Sequence, residues 1–492
     1  MKKNLQIIYI SALLLSIAIS SGCRKFVEVN APDNTINIDN VYASDATAIA
    51  VLTGVYTNFS LENDALRFVR NGLTFMSVYP GLSADELTLY DGASNPELIN
   101  YYQNKINSEV LSSTDFWSRT YKYIFVVNSS INGLTKSQTL TTAVKNQLLG
   151  ESYFLRAFCY FYLVNLYGDV PLITSTDYVL SSPQARETKD NVYKQIISDL
   201  LEAEKNLNQN FVDITAIKTS QERVRPSRSA AIALLARVYL YAGDWANAET
   251  LATKLITDNV RFSLVDLDQV FKKNSKETIW ALQPVSNDVN SNTGDGRLFI
   301  IPEQGPWELN QFYLSDDLLN NFDSGDQRFT HWVNQLEING VIYYYAFKYK
   351  IGEVPTANSE YSMVLRLAEQ YLIRAEARIQ QNKTADGIAD LNALRSRATD
   401  IAESDVNKQL KQLPANLSKE QALTAVLHER QTELFTEWGH RWLDLKRSGT
   451  IDQIMPAVSQ KKGGTWSATD ALFAIPLKEV QANKNLIQNK GY

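Results

Sequence analysis

The sequence is organised around one apolar stretch, residues 151–172, which reads ESYFLRAFCYFYLVNLYGDVPL. Between Gln147 and Tyr167, apolar side chains occupy nearly every face of a helix, and a helix with that pattern is buried on all sides. Gly168 and Pro171 follow directly and are typical of residues that end a helix. The stretch therefore predicts a long buried helix at the centre of a mainly α-helical protein.

Apolar residues at helical spacing predict further helices over residues 191–207, 227–241 and 245–256. Only a few residues around Gly243 separate the last two helices, so they are expected to form a hairpin with a very short turn. Ala236, Tyr239 and Ala248 have the small–aromatic–small spacing of a tetratricopeptide unit. In such a unit, the small residues allow the two helices to approach closely.

Other parts of the chain predict more hairpins of the same kind. One covers residues 364–397, with a break at Asn382 and Lys383, and others begin near Gln147 and near Lys419. Their spacing is irregular, so the chain is not a regular solenoid, and long insertions separate the hairpins.

Two of these insertions, residues 60–118 and 257–362, lack a sustained helical period. Within the second, residues 335–350 are typical of a β-hairpin, because Asn339-Gly340 favours a type I′ turn. Loops of this length in a compact domain are usually functional. We therefore expect any binding site to lie on the insertions rather than on the helices.

Composition narrows the class of protein. The chain has 492 residues, of which 45% are hydrophobic and 21% charged, as in ordinary globular proteins. Its formal net charge is −6, and no basic stretch has the density of a nucleic-acid footprint. The composition therefore argues against a nucleic-acid partner and against a multi-span membrane protein.

The N-terminus is typical of a bacterial lipoprotein. Lys2 and Lys3 precede a mostly apolar run over residues 5–19, which is short for a membrane span and fits a signal peptide. Small residues then lead to Cys23, although Ser20 stands where the usual cleavage box has an apolar residue. We expect residues 1–22 to be removed and residues 23–40 to form a tether lipidated at Cys23. The alternative is an ordinary secretory signal followed by an incidental cysteine.

The sequence favours a binding protein over an enzyme. Three histidines are a poor supply of general bases or metal ligands, and His428-Glu429 lacks the second histidine of a zinc-protease motif because residue 432 is Thr. No cofactor loop appears, so we expect no cofactor, no metal and no catalytic residue. Paired carboxylates for glycoside hydrolysis remain open, since their separation in space is not visible in a sequence.

Three acids, Glu429, Glu433 and Glu437, are spaced four residues apart, as on one face of a helix. They suit either a metal or acid site or a packed ion-pair network. We favour the network, with Arg430, Arg441 and Arg447 as partners, because Glu437 to Arg441 has the favourable i to i+4 orientation.

Five blocks of the chain together resemble the SusD/RagB family of lipoproteins. They are residues 151–172; 277–280 (ETIW); 365–377 (LRLAEQYLIRAEA); 429–447 (ERQTELFTEWGHRWLDLKR); and the ending, Ile475-Pro476 with 488–492 (QNKGY). Each block alone is only moderately specific, but five in order behind a lipoprotein leader are specific, and they extend over essentially the whole mature chain.

The resemblance implies a SusD-like fold, with about four tetratricopeptide-like hairpins that scaffold a loop-rich face and a small β-hairpin. It implies one domain over residues 41–492, with family halves that meet near residues 256 and 257. It also implies a lipoprotein displayed on the outer membrane that captures oligosaccharide and delivers it to a SusC-type TonB-dependent β-barrel transporter.

A sugar ring has an apolar C–H face and a fringe of hydroxyls, so it needs aromatic side chains together with polar donors and acceptors. The insertions hold this mixture, and the family places its ligand loops in roughly the same regions. The ligand-binding candidates are Arg70, Asp85, Tyr90, Asn95, Tyr101, Arg297, Trp307 and Tyr313. The same insertions also contain Glu86, Asp91, Tyr102, Asn292 and Asp295, whereas Tyr344 and Tyr345 are expected to pack within the hairpin.

Three other functions remain open on the same sequence. The first is binding of a peptide or another non-sugar nutrient, and the second is a purely structural role in holding protein partners. The third is a surface hydrolase, which the lack of catalytic motifs disfavours.

Overall fold

The computed structural model describes residues 38–60, 73–111, 116–285, 293–307, 309–352 and 358–492. The helices are α1 (Ile38–Val41), α2 (Asp45–Ser60), α3 (Phe75–Ser83), α4 (Pro96–Tyr102), α5 (Phe116–Lys136), α6 (Thr142–Tyr167), α7 (Tyr178–Ser181), α8 (Lys189–Asn206), α9 (Arg228–Ala242), α10 (Trp245–Ile256), α11 (Gly294–Phe299), α12 (Asp316–Leu319), α13 (Gln327–Trp332), α14 (Leu367–Gln380), α15 (Thr384–Arg397), α16 (Lys419–Leu434), α17 (His440–Arg447), α18 (Ile451–Lys461) and α19 (Leu477–Ala482). The strands are β1 (Leu87–Leu89), β2 (Val170–Pro171), β3 (Arg186–Glu187), β4 (Thr278–Leu282), β5 (Phe312–Leu314), β6 (Val333–Ile338), β7 (Val341–Ala346) and β8 (Ser362–Arg366). The prediction of a mainly helical protein is confirmed.

Helix α6 is the centre of the core, as its sequence predicts. Its side chains from Phe154 to Tyr167 are buried, and the helix ends at Gly168, whose φ is +75°. The rings of Phe154 and Phe158 both meet the indole of Trp280 on β4 edge to face, with centroids 4.9 and 5.4 Å away. Because its neighbours lie on all sides, α6 has no face left for a ligand.

The helices pack in succession against one another. Helix α6 packs between α5 and α8, α9 packs against α8 and α10, and α10 in turn packs against α14. The predicted α9–α10 hairpin is present: Gly243 turns it with a φ of +76°, and Asp244 caps α10 by accepting the N–H of Asn247 at 3.2 Å. Ala248 is fully buried where the helices approach.

The hairpin predicted over residues 364–397 is formed by α14 and α15, and Asn382 turns it with a φ of +64°. Helix α16 packs against both α14 and α15 and is followed by α17. The scaffold is therefore built from the predicted hairpins, which lie in two runs of the chain separated by the second insertion.

The acidic array is a buried ion-pair network rather than a metal or acid site, but its partners differ from those predicted. The contacts are Glu429 with Arg328 and Arg395 (2.6 and 3.1 Å), Glu433 with Arg328, Arg366 and Arg397 (3.0, 2.6 and 2.5 Å), and Glu437 with Arg366 and Lys348 (2.8 and 2.5 Å). Burial raises the pKa of Glu433, but its arginine neighbours, led by Arg397, outweigh burial and hold that pKa well below its usual range.

The predicted partners fail because the helix does not continue. Helix α16 ends at Leu434, and Thr436, Trp438 and Gly439 all have positive φ before α17 begins at His440. Glu437 and Arg441 are therefore not on consecutive turns of one helix. Arg430, Arg441 and Arg447 instead pair with Asp444, Asp85 and Glu376, at 2.6, 2.6 and 2.5 Å.

The second insertion contains the predicted β-hairpin. Strands β6 and β7 pair antiparallel from Val333 opposite Ala346 to Ile338 opposite Val341. Asn339 and Gly340 turn the hairpin with φ of +51° and +79°, as a type I′ turn requires. Strand β5, from the same insertion, crosses to the first insertion and pairs with β1.

Across the described part of the chain, no helix combines the length and apolar character needed to cross a membrane.

Candidate functional site

The two insertions meet at the short β1–β5 ladder. Thr88 lies opposite Tyr313, and the N–H of Tyr90 extends the pairing by donating to the carbonyl of Gln311 at 2.8 Å. A further hydrogen bond joins the two segments beside the ladder, because Ser315 donates its hydroxyl to the carbonyl of Asp85 at 2.5 Å. The pairing therefore brings Tyr90, directly after β1, close to Tyr313 on β5, although the two residues are more than 200 positions apart.

The β-hairpin adds a third ring. Tyr343 on β7 meets Tyr313 edge to face, with ring centroids 5.4 Å apart and planes at 85°. It also meets Tyr90, with centroids 6.4 Å apart and planes at 70°. All three side chains are partly exposed, so these contacts hold the rings in place without covering them.

Tyr102, at the end of α4, completes the group. Its hydroxyl hydrogen-bonds Thr88, and burial together with nearby Asp91 raises its pKa. The pKa of Tyr313 is raised as well, mainly by burial and then by Tyr102, Asp91, Tyr343 and Asp316 in turn. We call Tyr90, Tyr102, Tyr313 and Tyr343 the tyrosine face; a phenol hydroxyl can both donate and accept a hydrogen bond.

Trp307 stands on a separate loop that rests on the same hairpin, and 53% of its surface is exposed. Gly305 packs so closely on the hairpin that a Cβ there would lie 2.7 Å from Cδ1 of Ile338. Asn310 holds the far end of the loop by donating its side-chain amide to the carbonyls of Arg297 and Ile300, at 2.6 and 2.9 Å. The indole is thus exposed on an anchored loop.

Two candidates from the sequence belong to the scaffold instead. Tyr101 is 1% exposed, and its ring packs against those of Tyr79 and Phe473, with centroids 4.3 and 5.0 Å away. Asp85 is 4% exposed, and both of its oxygens accept from Arg441, at 2.7 and 2.6 Å. These predictions were wrong because neither side chain is accessible to a ligand.

Asn95 also has a structural role. It precedes Pro96 at the start of α4 and accepts the backbone N–H of Glu97 at 2.9 Å, which is a helix cap. Arg297 is half-buried on α11, beneath the Trp307 loop. Arg70, Asn292 and Cys23 lie outside the described residues.

The sequence analysis missed Tyr343 as a site residue. The signal was partial, because neighbouring residues of a strand point to opposite faces, so the run from Tyr343 to Tyr345 predicts rings on both faces of the hairpin but not which ring is accessible. Tyr345 is buried at 6% exposure, as predicted, whereas Tyr343, two residues before it on the same strand, is partly exposed and meets Tyr313 at the β1–β5 ladder.

A buried carboxyl lies directly below the β1–β5 ladder. Burial raises the pKa of Glu86 to about 8, against lowering by the backbone N–H of Thr436. Among the residues that the structure describes, its Oε1 has no hydrogen-bond partner. Glu86 is enclosed and does not reach the tyrosine face.

A separate depression of about 560 Å³ lies beside the C-terminus. Its lining residues include Asp169, Arg186, Leu472, Ile487 and Lys490. No aromatic ring is among the described residues that line it. The Arg186 guanidinium already donates to the carbonyls of Asp169 and Ile487, at 2.7 and 2.9 Å. This depression therefore offers no stacking surface.

Within the described ranges, no cluster of three or more His, Cys, Asp or Glu side chains could hold a metal ion. The site built by these residues is a surface of rings and hydroxyls, which suits binding of a polyhydroxylated ligand.

Packed helical hairpins whose insertions carry an aromatic face define the class of protein to which this chain is compared. A family model described as "Starch-binding associating with outer membrane" matches residues 84–240, and one described as "SusD family" matches residues 334–492. The chain belongs to the SusD/RagB family.

The similarity to known proteins extends over nearly the whole length of this chain. SusD-like protein P2 of Formosa agariphila is 25% identical over 539 aligned residues, covering 100% of both chains. The solved structure of a "Laminarin binding SusD-like protein" matches 91% of this chain and 99% of its own with a TM-score of 0.71 at 23% identity. "Surface glycan-binding protein A" from Bacteroides fluxus matches 92% and 100% with a TM-score of 0.73 at 20% identity. These similarities establish the SusD-like fold.

Proposed function

We propose that this protein binds a nutrient oligosaccharide on the tyrosine face and passes it to a SusC-type TonB-dependent transporter at the cell surface. The observation that carries the proposal is the set of partly exposed rings of Tyr90, Tyr313 and Tyr343, in which Tyr343 on β7 holds both Tyr313 on β5 and Tyr90, directly after β1, edge to face. A fixed ring costs little side-chain entropy when a ligand stacks on it.

The chemistry of the face fits a sugar. The apolar C–H side of a pyranose stacks on an aromatic ring, while the phenol hydroxyls can bond the sugar hydroxyls. Trp307 supplies a second exposed ring on the neighbouring loop, which suits a ligand longer than one sugar unit. No catalytic step is required, and we propose that the ligand leaves unchanged.

The relatives support a carbohydrate ligand. One protein of the same fold is named for laminarin binding and another for surface glycan binding. Laminarin, a neutral glucan, is therefore the first oligosaccharide to test.

Anchoring and delivery rest on the leader and the family. The sequence Ser21-Gly22-Cys23 favours lipidation at Cys23, and more than one acyl chain gives stable membrane attachment. The matching family model is itself described as associating with the outer membrane. We propose that lipidated Cys23 and residues 24–40 tether the domain beside its transporter.

Calorimetric titration with laminarihexaose and an array of other oligosaccharides tests binding. The wild type, Tyr343→Ala and a control, Tyr178→Ala, are compared, because Tyr178 is an exposed tyrosine on α7 outside the site, with 79% of its surface accessible. We expect binding that Tyr343→Ala weakens and the control leaves unchanged, with the oligosaccharide recovered intact. Binding of peptides without any oligosaccharide would favour the alternative of a peptide-nutrient protein.

Co-purification of the lipidated protein with a TonB-dependent barrel from outer membranes tests delivery. Recovery of the protein without any such barrel, under conditions that keep related pairs together, would contradict that half of the proposal.

A further inference from the structure

Two acidic side chains, Asp91 and Asp316, lie beside the tyrosine face. Asp91 directly follows Tyr90 and is exposed, and Asp316 opens α12 two residues after the end of β5 and is also exposed. Both carboxylates are close enough to the Tyr313 hydroxyl to contribute to its raised pKa. No described residue forms an ion pair with either of them.

Two cations close to the face, Lys462 and Arg441, are buried and bound to protein acceptors. The ammonium of Lys462 lies over the Tyr102 ring, 5.1 Å from its centroid, but it is buried and donates to the carbonyls of Leu82 and Ala84. Burial lowers the pKa of Lys462 to about 7. Arg441 is bound to Asp85 in the layer beneath the ladder.

Farther out, Lys348 is buried against Glu437, whereas Lys105 and Lys461 are exposed. Lys105 donates to the carbonyl of Gly463, and Lys461 pairs with Asp317 at 2.5 Å. Glu303, in the Trp307 loop, adds another exposed carboxylate. Both exposed lysines thus have acceptors other than Asp91 and Asp316.

We propose that Asp91 and Asp316 make the tyrosine face selective for uncharged glycans over acidic ones that carry uronates or sulfates. The inference rests on the proposed function and names the ligand class of the same site. An acidic sugar stacked on Tyr313 brings its own anion next to two carboxylates that no described base pairs with. A neutral sugar meets no such repulsion, and its hydroxyls can donate to both carboxylates.

The first measurement is an oligosaccharide array that contains neutral glucans, mannans and xylans beside polygalacturonate, alginate and chondroitin sulfate fragments. For the wild type, we expect the tightest ligand whose binding depends on Tyr343 to be neutral. If that ligand is acidic, the inference is overturned while the proposed function stands. If no glycan shows Tyr343-dependent binding, the proposed function falls, and the inference falls with it.

The second measurement isolates the two carboxylates. The best neutral and the best acidic ligand from the array are titrated against Asp91→Asn, Asp316→Asn and the double variant at low salt. The ratio of acidic to neutral affinity should rise about threefold to tenfold in the double variant, and the rise should shrink in 0.5 M NaCl because salt screens exposed charges. An unchanged ratio overturns the inference.

The matched control is Asp190→Asn. Asp190 is also an exposed aspartate in the first turn of a helix, but α8 packs against α6 and α9 rather than against the ladder or the hairpin. The control should leave the ratio where the wild type has it. An equal rise in the control would show that net charge, and not these two positions, sets selectivity.

Discussion

The ring of Tyr343 meets the ring of Tyr313 nearly at a right angle, with centroids 5.4 Å apart. This contact joins the β-hairpin to the β1–β5 ladder. Because edge-to-face pairs are worth about 0.5–1.5 kcal/mol beyond the area they bury, the contact fixes both rings before any ligand arrives. The site is thus assembled by the same contacts that dock the hairpin.

Tyr343 is accordingly the first position to change. Replacing it by Ala removes one stacking ring and releases Tyr313, so affinity for a stacked oligosaccharide should fall by about 2 kcal/mol or more, roughly thirtyfold. Tyr343→Phe keeps the ring and should retain most of the affinity. Calorimetry on both variants, with melting temperatures as a check on folding, makes the comparison; equal losses in both would assign the effect to the hydroxyl instead.

Trp307→Ala separates ligand binding from loop packing. The indole is 53% exposed, and the loop is held by Asn310 and by the Gly305 contact rather than by the indole. We expect a large loss of affinity, about 2 kcal/mol, with an unchanged melting temperature. Lowered stability with retained affinity would remove Trp307 from the site.

Cys23→Ala tests the anchor. Without the thiol, no thioether-linked diacylglycerol can form, so the variant should remain unlipidated. Metabolic labelling with a radioactive fatty acid measures this directly, with the wild type as the reference. Equal label on the two proteins would contradict a lipoprotein leader.

Ala248→Leu tests the hairpin packing. Ala248 is fully buried on α10, which packs against α9 and α14, so three extra carbons have no space there. Overpacking should cost about 1–3 kcal/mol of unfolding free energy, read as a lower urea midpoint. Ala246→Leu, at an exposed position of the same helix, is the control and should leave the midpoint nearly unchanged.

Glu86 predicts a pH dependence of stability. Its folded pKa, about 8, lies above the unfolded value, so the folded state holds a proton that the unfolded state releases. Stability contributed by this group is therefore present at pH 4 and is lost as pH rises towards 8, by at most about 1.4 kcal/mol per pH unit. Glu86→Gln cannot lose that proton, so its stability relative to the wild type should grow between pH 5 and pH 8.

Urea titrations at four pH values measure the difference in unfolding free energy between Glu86→Gln and the wild type. Taking the difference cancels the contributions of the other titrating groups, which the two proteins share. Glu109→Gln, at an exposed position, serves as the control and should keep a constant offset from the wild type. A constant offset for Glu86→Gln as well would show that Glu86 is ionised in the folded protein.

The helices could be predicted because their signal is local. The apolar spacing of α6, α9 and α10 reports which side faces the core, and Gly243 marks the turn between two of them. The type I′ turn at Asn339-Gly340 is local as well. The pair Asn95-Pro96 is also a local signal, and it predicts a helix cap rather than a ligand contact.

The tyrosine face could be predicted only in part, because its geometry is not local. Tyr101 and Tyr102 are neighbours in the sequence, but one turns into the core and the other towards solvent, and the orientation of α4 decides which. The pairing of β1 with β5, which brings Tyr90 to Tyr313, spans more than 200 residues and leaves no pattern in either segment alone.

The same pairing has an evolutionary consequence. Tyr90, Tyr313 and Tyr343 all stand on or directly beside short strands outside the packed helices, so a substitution at any of them leaves the helix interfaces untouched. Descendants of one ancestor can therefore acquire new ligands through changes in a few residues of this region. The sequences of the helical hairpins change more slowly, because their side chains must continue to pack. A mutant library restricted to these strands would sample new specificities on a scaffold that continues to fold.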